Sequence, residues 1–264
     1  MKIHEKYILR CIEIAKNGLG TTFPNPMVGC VIVHQGKVIG EGFHTHYGTP
    51  HAEVNAIESV TNKTLLKEST LYVNLEPCAH FGKTPPCASL IVAHQIPKVV
   101  IGCVDVFSEV AGKGIAQLKR ANIEVVVGVL EAKSKALNRR FFTFHTKKRP
   151  YIILKWAQTQ DGFIAIEKPL NLNQDSAIDN WITTPSSKKI VHQWRRQEQG
   201  IMVGTNTALN DNPQLTVREV EGKNPTRIVL DMNLRLPQNL HVFNQSAPTL
   251  VFNAHKNEQK THLE

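Results

Sequence analysis

No stretch of this 264-residue chain approaches the ~20 consecutive apolar residues needed to cross a bilayer. Its start, MKIHEKYILRCIEIAKNG, lacks the apolar core of a signal peptide; charged and apolar residues alternate there at helical spacing. A cytoplasmic protein with no membrane association is expected. Long basic tracts are also missing. The formal net charge is +9, yet the cations fall in short clusters at Arg139-Arg140, Lys147-Lys148-Arg149 and Lys188-Lys189. Clusters this short read as solvated faces, so a phosphorylated metabolite suits the basic balance and no nucleic-acid partner is expected. Internal repeats and low-complexity segments are absent. The cysteines number only five, Cys11, Cys30, Cys78, Cys87 and Cys103. An odd count argues against a disulfide framework. Metal binding accounts better for some of them, and the rest read as small buried apolar residues.

What is present fits a globular protein of two domains: 41% hydrophobic and 20% charged residues over a length that allows two cores. Residues 3–17 read as an amphipathic helix. VGCVIVHQGKVIGEGFH (28–44) reads as a hairpin turning at Gln35-Gly36. Helices are expected over 51–60, 87–95 and 114–122, and strands over 70–78, 98–105 and 123–130. A polar helix follows. This alternation predicts an α/β domain over 1–146 with a largely parallel sheet. KKRP (147–150) marks a boundary. The second domain, 150–264, is also read as α/β, with strands beginning at Tyr151, Gly200, near Thr226 and at Thr249, a helix over 186–197, and a polar loop over 167–180.

Three residues point to chemistry. His51 opens His51-Ala52-Glu53, while Cys78 and Cys87 bracket Pro77-Cys78-Ala79-His80-Phe81-Gly82-Lys83-Thr84-Pro85-Pro86-Cys87. A hydrolytic zinc site needs three protein ligands and one open tetrahedral position for water. A carboxylate must then take the water proton and pass it to the departing amine. Glu53, two residues from His51, suits that role. Residues i and i+2 do not share a helix face, but both lie in a first turn, where side chains border a site beyond the helix end. Cys87 also opens a helix, and positive helix ends favour thiolates. The bland alternative is a closed structural zinc site with His80, His44, Cys30 or Cys103 as fourth ligand.

These motifs resemble the cytidine deaminase superfamily and, more narrowly, the bifunctional riboflavin-biosynthesis deaminase/reductase family. The resemblance rests on the eight residues between Cys78 and Cys87, and on PNPMVGCVIV (24–33), GFHTHYGTPHAEVNA (42–56) and VAGKGIAQLKRANIEV (110–125). It continues through LKWAQTQDGFIA (154–165), WITTPSSKKIVHQWR (181–195) and GIMVGTNTALNDNPQLTVR (200–218). It implies a cytidine-deaminase-like three-layer α/β/α domain followed by a dihydrofolate-reductase-like α/β domain. It also implies Zn2+ on His51, Cys78 and Cys87, and Glu53 as the proton shuttle. Asn25, His44, His80 and Lys83 would line the deaminase pocket. Lys155, Asp161, Arg195, Thr207, Asp211 and Arg218 would lie near substrate or NADPH in the reductase. Read without the resemblance, Asn25 between prolines also suits a turn, His44 a structural histidine, and Asn210-Asp211-Asn212-Pro213 an ordinary turn.

The implied chemistry is deamination of a diaminopyrimidinone ribosylamine 5′-phosphate, then NADPH-dependent reduction of the ribosyl to a ribityl chain, by a homo-oligomer, dimer or tetramer. The chain departs from the family at Asp105-Val106-Phe107-Ser108, where DPNP is frequent, and at Asn55, where histidine is frequent. It also ends before the family's glycine-rich cofactor motif, so a reductase half truncated at its C-terminus and weak in reduction is expected. Two rival functions stay open at this point: a nucleic-acid or nucleoside deaminase, and a zinc-stabilised binding protein without catalysis.

Overall fold

The computed structural model describes residues 2–80, 85–107, 110–164 and 182–255. The chain divides into two compact units, Met1–Ile153 and Leu154–Glu264.

The first unit runs α1 (Lys2–Ala15), β1 (Gly29–His34), β2 (Lys37–Phe43), α2 (Ala52–Ser59), β3 (Thr70–Leu75), α3 (Cys87–Ala93), β4 (Lys98–Cys103), α4 (Lys113–Arg120), β5 (Glu124–Val127), α5 (Glu131–Leu137) and α6 (Arg139–Lys147). Its five strands form one sheet in the order β2-β1-β3-β4-β5. Side chains alternate across a strand, and here both faces are buried. Cys30, Ile32, Leu71, Val73, Val99 and Ile101 pack with Ala56 of α2, Ile91 of α3 and Leu118 of α4. Val31, Val33, Tyr72 and Val100 pack on the other face with Ile8 and Cys11 of α1 and Leu137 of α5. The result is a three-layer α/β/α domain. Side chains such as Ile8, Ile32 and Leu71 are fully buried, and each stabilises the fold by about 1.5–3 kcal/mol.

The sheet expected to be largely parallel is mixed: β1 alone runs against the other four strands, antiparallel to both β2 and β3, while β3-β4 and β4-β5 pair in parallel. The two-residue turn at Gln35-Gly36 joins β1 to β2, and a connection that short closes only antiparallel strands. The carboxyl ends of parallel β3 and β4 open side by side, the usual place for a ligand crevice in an α/β sheet.

The second unit holds α7 (Pro185–Gln197), β6 (Gly200–Gly204), α8 (Thr205–Asp211), β7 (Thr226–Leu230) and β8 (Thr249–Phe252). β6-β7-β8 form a parallel three-stranded sheet over a core of Ala208, Leu215, Val229, Leu236 and Val242. The strand expected at Tyr151 is not formed. Residues 151–159 carry no regular structure, and Ile152, Leu154 and Trp156 are exposed. An apolar run becomes a strand only where a neighbour takes its N–H and C=O groups, and among the described residues none does. The expected loop over 167–180 lies outside the described residues. One feature had no signal in the sequence: Arg227, in β7, is fully buried, and among the described residues it has no carboxylate partner. Its guanidinium donates to Thr249 Oγ1, the His241 carbonyl and Asn244 Oδ1, each at 2.9 Å, which ties the 241–249 segment to the sheet.

Candidate active site

α2 begins just after Pro50. His51 occupies its N-cap with extended backbone (φ −74°, ψ 168°), and Glu53 falls in the first turn. The helix lies flat on β2 because Gly42 has no side chain. A Cβ there would collide with the Ala56 backbone N. Cys78 stands three residues past the end of β3, and Cys87 is the first residue of α3. The loop is pinned by the Ala88 N–H, which donates to the Cys78 carbonyl at 3.0 Å.

These elements bring the three expected ligands together. His51 Nδ1 lies 3.6 Å from Cys78 Sγ and 3.3 Å from Cys87 Sγ, and all three donor atoms fall within 4.8 Å of one another. Zinc bonds of about 2.3 Å to sulfur and about 2.05 Å to nitrogen at tetrahedral angles separate such donors by roughly 3.5 Å. The donor set therefore fits a zinc ion in both chemistry and spacing. Among the described residues no fourth His, Cys, Asp or Glu joins the group. Cys30 and Cys103 are buried free thiols elsewhere in the domain.

The electrostatics favour one thiolate. The Cys87 backbone N–H donates to Cys78 Sγ at 3.3 Å. Hydrogen bonds from the Cys87 thiol, His51 and that N–H hold the Cys78 thiol well below its ordinary range, while the Cys87 thiol is pushed up by the same partner and by burial. His51 is raised by its hydrogen bond to Cys78. Glu53 is 3% exposed, hydrogen-bonds the Cys87 thiol, and is pushed up to about 7, first by burial and then by the Cys78 charge. A carboxyl poised near neutrality can both take and give a proton.

Asn25 and His44 also meet at this site. His44 Nδ1 lies 3.1 Å from the Pro50 carbonyl, and its Nε2 lies 3.1 Å from Asn25 Nδ2. A carbonyl can only accept, so Nδ1 carries the proton and Nε2 accepts from the Asn25 amide. His44 is thus a buried neutral histidine that orients Asn25, and its ring stands edge-on to His51 at 5.3 Å. His80 Nδ1 is buried with no hydrogen-bond partner among the described residues, and its ring faces Phe107 at 6.1 Å. Lys83 lies outside the described residues.

In the second unit, Arg195 and Arg218 converge on Thr216. Arg195 Nη1 donates to the Thr216 carbonyl at 2.5 Å and Arg218 Nη1 to Thr216 Oγ1 at 3.0 Å. Arg195 Nε is buried with no hydrogen-bond partner among the described residues, and the guanidinium is lowered by burial and by Arg218. Thr207 and Asp211 lie on α8 and are exposed. Lys155 and Asp161 are exposed in the irregular 151–164 stretch, where Asp161 accepts from Thr159 Oγ1 at 2.5 Å. Among the described residues no hydrogen bond links either of them to the arginine pair.

Three residues near the first site escaped the sequence reading. Glu76 accepts from the Gly112 N–H at 3.0 Å and the Ile115 N–H at 3.1 Å, tying the segment before Cys78 to the start of α4. Asn74 and Asn138, both buried, hold the backbone at Met27. What Glu76 does depends on the docking of the 70–78 strand end against the 110–125 segment, which no local pattern contains.

Both units are similar to known proteins. Residues 1–103 match the cytidine and deoxycytidylate deaminase zinc-binding region, and residues 150–264 match the RibD C-terminal domain. The riboflavin biosynthesis protein RibD of Aquifex aeolicus is 44% identical over 99% of this chain and 71% of its own length. Its counterpart in Actinobacillus pleuropneumoniae is 46% identical over 88% of this chain, which spans only 59% of that protein. The crystal structure of a diaminohydroxyphosphoribosylaminopyrimidine deaminase/5-amino-6-(5-phosphoribosylamino)uracil reductase from Thermotoga maritima superposes with a TM-score of 0.86 at 43% identity. That match covers 98% of this chain and 72% of the Thermotoga protein. The chain belongs to the RibD family of riboflavin-biosynthesis proteins, which join a zinc-binding deaminase domain to a reductase domain.

Proposed function

We propose that the first unit hydrolyses the 2-amino group of 2,5-diamino-6-ribosylamino-4(3H)-pyrimidinone 5′-phosphate, and that the second unit reduces the ribosyl product to a ribityl chain with NADPH. The observation that carries the first step is the three-donor cluster of His51, Cys78 and Cys87 with the buried Glu53 against it. A zinc ion held by those three residues supplies Lewis acidity that brings the pKa of water toward about 7. Glu53 takes one proton from the attacking water and gives it to the ring nitrogen, then takes the second from the added hydroxyl and gives it to the departing amine. Water is consumed, the C–NH2 becomes C=O, and ammonia leaves. Asn25, oriented by His44, reads polar groups of the substrate, and His80 and Lys83 complete the pocket.

The second step is supported by the arginine pair. Arg195 and Arg218 place two cations together, with no carboxylate paired to either among the described residues, a setting for the substrate's phosphate. Lys155, Asp161, Thr207 and Asp211 complete this reading. A homo-oligomer, dimer or tetramer, belongs to it too. Met202, Leu230 and Phe252 share the exposed face of β6-β7-β8, and such an apolar row supports self-association.

The test is ammonia release from the diaminopyrimidine phosphate, from cytidine and from tRNA, with metal analysis and with Glu53→Gln. One zinc per chain is expected, with release from the diaminopyrimidine alone and a loss of about 10²–10⁴-fold in the variant at unchanged zinc. Preference for tRNA would favour a nucleic-acid deaminase. Zinc without ammonia release from any of them would leave a zinc-stabilised binding protein.

A further inference from the structure

Asn138 stands at the joint between α5 and α6, where an asparagine ordinarily uses its side chain to cap the following helix. It makes no such cap. Instead its amide reaches a residue 111 positions earlier in the chain. Asn138 Oδ1 accepts from the Met27 N–H at 2.8 Å, and Nδ2 donates to the Met27 carbonyl at 2.8 Å. The side chain thus pairs with both polar groups of one peptide residue, as a neighbouring strand would. From the opposite direction Asn74 Nδ2 donates to the same carbonyl at 3.1 Å, and Asn74 Oδ1 accepts from the Gly29 N–H at 2.7 Å. Both amides are buried, at 2% and 0% exposure.

Met27 lies two residues beyond Asn25 and opens the segment that leads into β1. The next residue, Val28, accepts the His44 backbone N–H at 2.9 Å. The clamp therefore fixes both partners of the Asn25–His44 hydrogen bond: one directly through the chain, the other through Val28. Asn138 belongs to residues 104–149, which neither family region covers.

We propose that Asn138 is a positioning residue of the deaminase site: it holds the Met27 peptide so that Asn25 meets the substrate ring. This rests on the reading that Asn25 contacts substrate. A residue acting this way supports substrate binding more than the proton transfers at Glu53, and it leaves the three metal ligands undisturbed.

The experiment measures kcat, KM and zinc content for ammonia release by the full chain, for wild type, Asn138→Ala, Asn138→Asp, Asn25→Ala and the Asn25→Ala/Asn138→Ala double variant. Asn138→Ala is expected to raise KM roughly tenfold, the worth of a pair of buried hydrogen bonds, with kcat within about threefold and zinc retained. Asn138→Asp keeps the acceptor for the Met27 N–H but turns the donor into a second acceptor facing the Met27 carbonyl. It raises KM at least as much and carries the test if the alanine variant does not fold. In the Asn25→Ala background the Asn138 change adds less than about twofold, because the route it acts through is gone. A KM that stays normal in both Asn138 variants while Asn25→Ala is impaired would overturn the positioning role alone. The same Asn138 loss with and without Asn25 would show a merely structural residue. A normal KM in Asn25→Ala would overturn both the Asn25 reading and this route.

Discussion

Gly114, in the first turn of α4, lies directly beneath Pro77, so close that any Cβ on it would overlap the Pro77 carbonyl oxygen. Pro77 immediately precedes Cys78. Glu76 braces the same junction through the Gly112 and Ile115 N–H groups. The start of α4 thus serves as the floor on which the metal-binding loop rests, and that floor tolerates only hydrogen at this position.

Gly114→Ala is expected to destabilise the protein by about 1–3 kcal/mol, as overpacking at a rigid contact does. It should also lower zinc content below one per chain. Gly204→Ala is the control, because a Cβ there meets open space; it should change stability by less than about 0.5 kcal/mol. Urea unfolding with metal analysis checks both. A Gly114→Ala protein with full zinc and unchanged stability would mean that Pro77 moves aside freely.

Asp105, past the end of β4, is 7% exposed and accepts the Phe107 N–H at 2.8 Å. Burial, with Glu76 nearby, pushes its carboxyl from 3.8 up to about 6. A raised acid pKa means that the folded state binds the proton more tightly than the unfolded state. Stability is therefore full below about 4, falls as pH rises toward 6, and stays reduced above that. Asp105→Asn keeps an acceptor and never ionises. It should stabilise by up to about 3 kcal/mol at pH 7.5 and by about a third of that at pH 4.5. Urea midpoints at the two pH values provide the comparison, and an equal gain at both would contradict the assigned cause.

The cluster of His51, Cys78 and Cys87 was legible because its signals are local. Pro50 before His51 and Pro85-Pro86 before Cys87 announce helix starts, and ligand types at helix starts carry their own physical reason. The β1-β2 turn was equally local: Gln35 and Gly36 take φ of 47° and 76°, the left-handed pair that a type I′ hairpin turn needs. What stayed hidden depends on distant partners. Nothing around Asn138 says that its amide will pair with Met27, and nothing around Arg227 says that three acceptors from residues 241–249 will surround it. The Tyr151 run shows the reverse error. Its composition is that of a strand, yet strand formation needs a neighbouring edge, which a local pattern does not contain.

Arg195 and Arg218 make the second unit's anion preference testable without any reductase assay. Two guanidiniums share Thr216, and burial together with the Arg218 charge lowers Arg195; a guanidinium is cationic at every working pH, so their mutual repulsion persists. A phosphate offers both of them acceptors and gives the buried Arg195 Nε a partner that it lacks among the described residues. Phosphate should therefore raise the melting temperature of the chain above that in chloride at equal ionic strength, because a ligand that binds only the folded state stabilises it by mass action. Arg218 is exposed, so Arg218→Gln removes the charge with little risk to the fold, whereas Arg195 is half-buried and its loss would confound the reading. The variant should bind phosphate about 10- to 100-fold more weakly, the worth of one charge-assisted hydrogen-bonding partner. Its phosphate-dependent shift should shrink accordingly. The first unit is the same in both proteins, so any phosphate it binds cancels in the comparison. Equal shifts in wild type and Arg218→Gln would show that the pair holds the Thr216 turn together and binds no phosphate.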